Sequence, residues 1–240
     1  MLFQKLIDRL QATAKLSESD RNALVNMPAT IKPLEDGQYL LREGDAATQC
    51  SFVLNGFLIR HKVADSRSQI LAFVVPGDMP DLQTLHLPRM DHDLSSVGEA
   101  TVALVAHATL NDILANSPSL RHIFWREALI DAANYREWIA NLGARDALSR
   151  VAHVICELAA RLEVVGLVER GTFHLPFTQK NMADACGLST VHINRTLQEL
   201  RHRGLITWEG KTVTILKRKE LERIGDFDLG YLHIAGANEH

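Results

Sequence analysis

The chain is short of the residues that would mark several common classes of protein. Its 240 residues include three cysteines, Cys50, Cys156 and Cys186, with no two in a CxxC spacing. That argues against a disulfide framework and a structural zinc site. No iron–sulfur cluster is expected either, because a four-cysteine cluster cannot be assembled from one such chain. The plain expectation is three packed, reduced thiols. Long apolar runs are also missing: the longest, "ILAFVV" from Ile70 to Val75, falls far below the ~20 residues that cross a bilayer. The opening "MLFQKLIDRL" mixes an acid and an amide into its apolar residues and has no small-residue cleavage site, so a cytoplasmic location is expected. Phosphate loops, nucleophile elbows and metal motifs of the HExxH type do not occur, which makes an enzyme a remote reading.

Strong net charge is absent as well. The balance is −3 at pH 7, which does not advertise a nucleic-acid binder. The distribution says more than the total. Between Thr172 and Arg223 nine basic residues stand against five acidic ones, so this segment carries +4 and the remainder −7. A basic C-terminal piece on an acidic body fits local phosphate binding.

What is present falls into three textures. Residues 1 to 25 read as short amphipathic helices, with Ser17 or Ser19 as cap ahead of "RNALVNM". From Ala29 to Val105 short β-type runs ("TIKPL", "QYLLR", "SFVLNGFLIRHKV", "QILAFVV", "ATVALV") alternate with turn signals at Asp36-Gly37, Glu43-Gly44-Asp45, Asn55-Gly56 and Pro76-Gly77-Asp78. Asn55-Gly56 predicts a two-residue type I′ hairpin. The spacing predicts an antiparallel barrel or sandwich. A helix then opens at Ser117 and Pro118, a capping serine followed by proline at the first helical position, and Gly143 is expected to end it. Along it Trp125, Ala128, Ala132, Tyr135, Ile139 and Leu142 recur at steps of three and four, the spacing of a coiled-coil seam. Leu120, Ile123, Phe124 and Ile130 lie on other faces. Two apolar faces call for two partners: the helix's own domain and, on the seam, the same helix of a second subunit. A fully buried core helix would show the same periodicity. Another helix follows, with Ala147, Val151, Val154, Leu158 and Leu162 along one stripe.

The most informative stretch is "FTQKNMADACGLSTVHINRTLQELRHRGLI". Thr178 caps a helix running to Cys186, Gly187-Leu188-Ser189 makes a tight turn, and Ser189 caps a second helix ending near Arg203 and Gly204. Two helices joined by a glycine-containing turn of three residues form a helix-turn-helix. At ~100° per residue, Ile193, Leu197 and Leu200 share the inward side of the second helix. Val191, Arg195, Gln198 and His202 lie nearly opposite, with Thr190 and Asn194 on the flank. These side chains are able to reach base edges: arginine pairs with guanine, an amide with adenine, and a small apolar group meets the thymine methyl. "GLITWEGKTVTIL" then reads as strand, Glu209-Gly210 turn and strand, a wing beside the helix pair.

With these pieces in order, the chain resembles the Crp-Fnr family of bacterial transcription regulators over nearly its whole length. The resemblance implies an α+β fold in three parts. These are an N-terminal cyclic-nucleotide-binding-like antiparallel β-roll sensor over residues 1–116, a dimerisation helix over 117–142, and a C-terminal winged helix-turn-helix over 143–240. It implies a homodimer on a palindromic double-stranded DNA site, and RNA polymerase as a further partner. The DNA-contacting set it points to is Thr178, Gln179, Lys180, Ser189, Thr190, Val191, Asn194, Arg195, Gln198 and Lys211. Well-studied members carry a charged pair where this chain has Thr190-Val191, so their target sequence does not transfer.

Members that bind a cyclic nucleotide begin their cassette with Gly-Glu and end it with Arg-Ser or Arg-Thr. Here Gly77 is followed by the shorter Asp78. Asp91-His92 stands where the arginine and its hydroxyl partner belong, with Arg89 out of register. An acid facing a phosphate costs Coulomb energy, so cyclic AMP bound in the usual manner is not expected. Gly77, Asp78, Arg89 and His92 remain the candidate effector residues, the effector itself unknown. His86 or His92 leaves haem ligation open. A scaffold that keeps the cyclic-nucleotide-like fold without regulating transcription is the competing reading.

Overall fold

The computed structural model describes residues 1–65 and 67–234; the last six residues of the third predicted segment lie outside them. Two helices open the chain, α1 (Gln4–Thr13) and α2 (Glu18–Val25). Ser17 caps α2 through a reciprocal capping box with Asp20. Strands β1 (Thr30–Leu34), β2 (Tyr39–Leu41), β3 (Gln49–Ala64), β4 (Arg67–Val74) and β5 (Asp93–Ala106) follow, with a 3₁₀ turn at Leu82–Leu85. They form one antiparallel sheet of order β1-β5-β3-β4, with β2 also paired to β5.

The Asn55-Gly56 hairpin is not formed. β3 runs unbroken through it, and the pairing with β5 shifts register on either side of Asn55. Gly56 does take the positive φ that the sequence signals (+77°), but it serves a bulge. A Cβ there would lie 2.3 Å from the Glu99 carbonyl oxygen. The glycine is therefore demanded by the close approach of β5 as well as by backbone conformation.

Helix α3 (His107–Asn116) leads to α4 (Pro118–Ala144), capped by Ser117. Gly143 lies inside α4 and does not end it. A lone glycine in a helix interior costs only ~1 kcal/mol against alanine, so it need not stop a long helix. α5 (Ala147–Val164) begins at the Asp146 cap and is buried on most sides. Then come β6 (Thr172–His174), α6 (Gln179–Cys186), α7 (Thr190–His202), β7 (Ile206–Glu209), β8 (Thr212–Ile215) and α8 (Arg218–Gly225). A second sheet has the order β6-β8-β7.

The burial of α5 explains how the parts sit together. Val151, Val154, Ile155, Leu158 and Leu162 join one apolar core with Ile193, Leu197 and Leu200 of α7 on one side and Phe57, Ile70 and Phe73 of the large sheet on the other. Phe177, just ahead of α6, stacks on Phe73 at 4.1 Å between centroids and meets Phe57 edge-on at 5.3 Å. The C-terminal helices thus pack directly on the large sheet.

Candidate DNA-reading face and effector site

Local chemistry builds the helix-turn-helix. The Thr178 hydroxyl accepts from the Asn181 backbone N–H (3.1 Å) while the Asn181 carboxamide accepts from the Thr178 N–H (2.9 Å), closing a capping box at the start of α6. Gly187 ends α6 in the left-handed conformation (φ +62°). Arg150 of α5 donates to the Cys186 carbonyl at 2.7 Å, fixing the turn to the core helix. Ser189 accepts from the His192 N–H and opens α7. Ile193, Leu197 and Leu200 are buried, as the face reading of the sequence requires.

That burial turns the other side of α7 outward. Ser189, Thr190, Val191, Arg195 and Gln198 are exposed and Asn194 is half-buried. Thr178, Gln179 and Lys180 at the start of α6, and Lys211 at the wing tip, are exposed too. Lys180 is paired with Asp184 at 2.8 Å. Among the described residues no carboxylate pairs with Arg195, whose guanidinium is left for an external acceptor. Asn194 donates its Nδ2–H to the Gln179 Oε1 at 3.0 Å, linking the two helices of the motif. The Leu175 N–H, just past β6, donates to the Lys211 carbonyl at 2.8 Å and holds the wing tip.

The seam residues of α4 have mixed surroundings. Trp125 (64% exposed) and Ile139 (71%) stand free, Ala128 is exposed, and Ala132, Tyr135 and Leu142 are half-buried. Leu129, 54% exposed, extends this apolar stripe and was missed by the strict three-four spacing. The second set, Leu120, Ile123, Phe124 and Ile130, is buried within the same chain. Tyr135 differs from its seam neighbours in having an internal role, its hydroxyl accepting from Arg60 at 2.8 Å.

The four candidate effector residues do not converge on one cavity. Gly77 closes a turn whose N–H donates to the Val53 carbonyl. Arg89 is exposed and donates to the Gly44 carbonyl. His92 bonds Asp91 at 2.8 Å; burial, then the nearby Arg60, lowers its pKa. Asp78 is buried and committed elsewhere. It pairs with Arg9 of α1 and, at 2.5 Å, with Arg161 of α5, and it accepts from the Val75 N–H. Burial alone would raise the Asp78 carboxyl, but Arg161 and Arg9 more than offset this and hold it below the usual carboxylate range.

This ion pair belongs to a network. Arg9 also binds Glu127 of α4 at 2.9 Å, and Arg161 binds Glu157 at 3.0 Å. Glu157 accepts from Trp138 Nε1 and from the Tyr231 hydroxyl, each at 2.9 Å. Beside it, Arg60 forks onto Asp131 at 2.7 and 2.8 Å. Apart from Tyr231, these groups line a cavity of about 120 Å³, well below the ~300–1,000 Å³ of ordinary ligand pockets. Arg161 Nε and Asn134 Oδ1 also line it, without a partner among the described residues. No local sequence signal could have tied Asp78 to this network, since its partners Arg9 and Arg161 lie 69 and 83 positions away.

His86 lines a separate apolar groove with Leu82, Leu85, His122 and Trp125, and His92 does not reach it. The three thiols are buried. Burial pushes Cys50 and Cys186 up to about 12 and raises Cys156 further.

An antiparallel sheet domain, a long helix and a winged helix-turn-helix with an unobstructed outward face together define a DNA-binding regulator. The comparisons agree. Residues 31–117 match the cyclic nucleotide-binding domain family and residues 149–224 the Crp-like helix-turn-helix domain. The regulatory protein HlyX of Actinobacillus pleuropneumoniae is 24% identical, with 90% of each chain covered. The transcriptional activator protein FnrL of Cereibacter sphaeroides is 24% identical, over 94% of this chain and 93% of that one. The structure of FixK2 from Bradyrhizobium japonicum superposes with a TM-score of 0.75 at 22% identity, covering 82% of this chain and 98% of that chain. The chain belongs to the Crp-Fnr family of transcription regulators.

Proposed function

We propose that the protein regulates transcription as a homodimer on an inverted-repeat DNA site, acting in the cytoplasm together with RNA polymerase. Each copy places the N-terminal half of α7 in a major groove, with the half-sites one helical turn apart. Arg195 reads a guanine, Asn194 an adenine, and Thr190 and Val191 meet thymine methyls. Thr178, Gln179, Lys180, Ser189, Gln198 and Lys211 hold the backbone or the groove edge. The observation that carries this reading is the outward face of α7, exposed and, among the described residues, free of any carboxylate partner for Arg195.

The stripe of Trp125, Ala128, Leu129, Ala132, Ile139 and Leu142 is the proposed dimer contact. The working division is a sensor over 1–116, a dimer helix over 117–142 and a DNA-binding part from 143 onward. The effector is proposed to be a small polar molecule and not a cyclic nucleotide held by the family's cassette. Asp78 is already neutralised by two arginines, and the cavity beside it is too small for a nucleotide.

Selection from a pool of random duplexes by the purified protein in low salt tests the reading. Enrichment of an inverted repeat is the expected outcome. A pool that stays random would leave a signal-binding scaffold as the better description.

A further inference from the structure

The cavity beside Asp78 lies where three parts of the chain meet. Arg9 of α1, part of β4 and the chain that follows it form one side, α4 another, and Glu157 and Arg161 of α5 the third. Arg89 and His92, the residues a cyclic-nucleotide cassette would use, do not line it.

Nearly every polar group in its wall is committed. Arg161 donates to Asp78 at 2.5 Å and to Glu157 at 3.0 Å through its two terminal nitrogens. Arg9 donates to Asp78 and Glu127, and Arg60 to Asp131 and Tyr135. Two atoms are left over: Arg161 Nε and Asn134 Oδ1 are buried with no partner among the described residues. They differ in kind. A carboxamide can be turned over, so Asn134 offers an acceptor or a donor as needed. A guanidinium Nε carries one hydrogen and no lone pair, so its demand is fixed. Arg161, its side chain only 10% exposed, needs an acceptor, because a buried donor left unmatched costs stability.

Charge then limits what that acceptor is. The three guanidiniums face four carboxylates across the cavity, Asp78, Glu127, Asp131 and Glu157, and each guanidinium is already paired. No positive surplus remains to hold an anion, whose burial would add to an excess of negative charge. The acceptor therefore belongs to an uncharged group. Donors on the same molecule are welcome, since the carboxylates keep lone pairs to spare. An uncharged group with an acceptor beside N–H donors is a carboxamide.

We propose that this cavity binds a small uncharged amide, its carbonyl oxygen accepting from Arg161 Nε–H and its NH₂ group lying towards Asn134. This rests on the reading of the effector as a small polar molecule and names its chemical class. Arg161 belongs to α5 and its partner Asp78 to the sensor, so the bound amide touches the joint that ties sensor to reading head.

Acetamide and acetate have nearly the same shape and differ in charge, which makes them the probes. Each is titrated into the full-length protein carrying fluorotryptophan, and fluorine NMR follows Trp138, which lines the cavity; W138F assigns its resonance. Acetamide is expected to shift this resonance saturably, while acetate at equal concentration leaves it in place. Arg161→Lys keeps a cation for Asp78 and Glu157 but removes the Nε–H, and is expected to weaken acetamide binding about tenfold or more. Asn134→Leu fills the space and removes a buried acceptor. It is expected to abolish binding while the melting temperature stays at or above that of the parent.

Acetate binding as well as acetamide would overturn the proposal, and so would either variant binding acetamide as the parent does. No shift at any acetamide concentration that the fold withstands would overturn it too, the cavity then holding water only. A protein that selects an inverted repeat but takes no acetamide loses this proposal alone. One that binds acetamide and selects no DNA site loses the regulatory reading and keeps the amide site.

Discussion

Replacing Asp78 by asparagine removes one carboxylate from a buried network while keeping its shape and its acceptor for the Val75 N–H. Taking one partner from a buried ion pair usually costs ~3–5 kcal/mol, because the other charge is left stranded. Here the two cations are not stranded. Arg9 keeps Glu127 at 2.9 Å and Arg161 keeps Glu157 at 3.0 Å. The expected loss is therefore nearer ~2 kcal/mol at pH 7, read from urea denaturation. Acid supplies a second reading. The Asp78 carboxyl is held below its ordinary value of 3.8, so its contribution is whole above about pH 4 and is lost as the pH falls through the folded value. The gap between parent and Asp78→Asn should accordingly close in acid. A variant within ~0.5 kcal/mol of the parent at pH 7 would refute the reasoning, that being the range of an ordinary surface change. A gap that persists undiminished at low pH would refute it equally.

Arg195→Ala should lose roughly 1–3 kcal/mol of discrimination at one base pair of the selected site; equal weakening on specific and random duplexes would deny it a base contact. Ile139→Glu puts a carboxylate on the exposed stripe of α4, and should raise the dimer dissociation constant at least ~tenfold by sedimentation. Ile139 is the better probe than Tyr135, which Arg60 ties into its own subunit. Asp81, buried and pushed up to about 6 by that burial despite bonds from Ser51, favours the fold most when protonated. Between pH 4 and 6 the parent should therefore lose about 3 kcal/mol of stability relative to Asp81→Asn; parallel pH–stability curves would contradict this.

Signals that act over three or four residues were legible in the chain. Ser17, Ser117 with Pro118, Thr178, Ser189 and Gly187 each satisfy or end a helix through their immediate neighbours, and each does so in the structure. The inward face of α7 was legible for the same reason. Asn55-Gly56 misled because positive φ serves a hairpin and a bulge alike, and only the partner strand decides which. Gly143 misled because a propensity difference of ~1 kcal/mol yields to the packing of a long helix. The effector region was least legible. The fate of Asp78 was set by Arg9 and Arg161, residues that no local pattern connects to it. The Asn194–Gln179 bond lay between these cases: the face reading put Asn194 on the flank of α7 and the family resemblance pointed to Gln179, but their meeting depends on how α6 crosses α7.

The seating of Phe177 between Phe57 and Phe73 bears on how such regulators can be recombined. A chimera joined at residue 143 looks modular in the sequence, where a sensor ends and a reading head begins. In this protein the cut would separate α5 and Phe177 from the strands they pack on, leaving raw apolar surface on both halves. A transplanted head would need counterparts to Phe57, Ile70 and Phe73 waiting for it, and a residue able to answer Arg161. The reading head is thus interchangeable only together with a strip of its host's β-sheet, and lineages that exchange heads must exchange that strip as well.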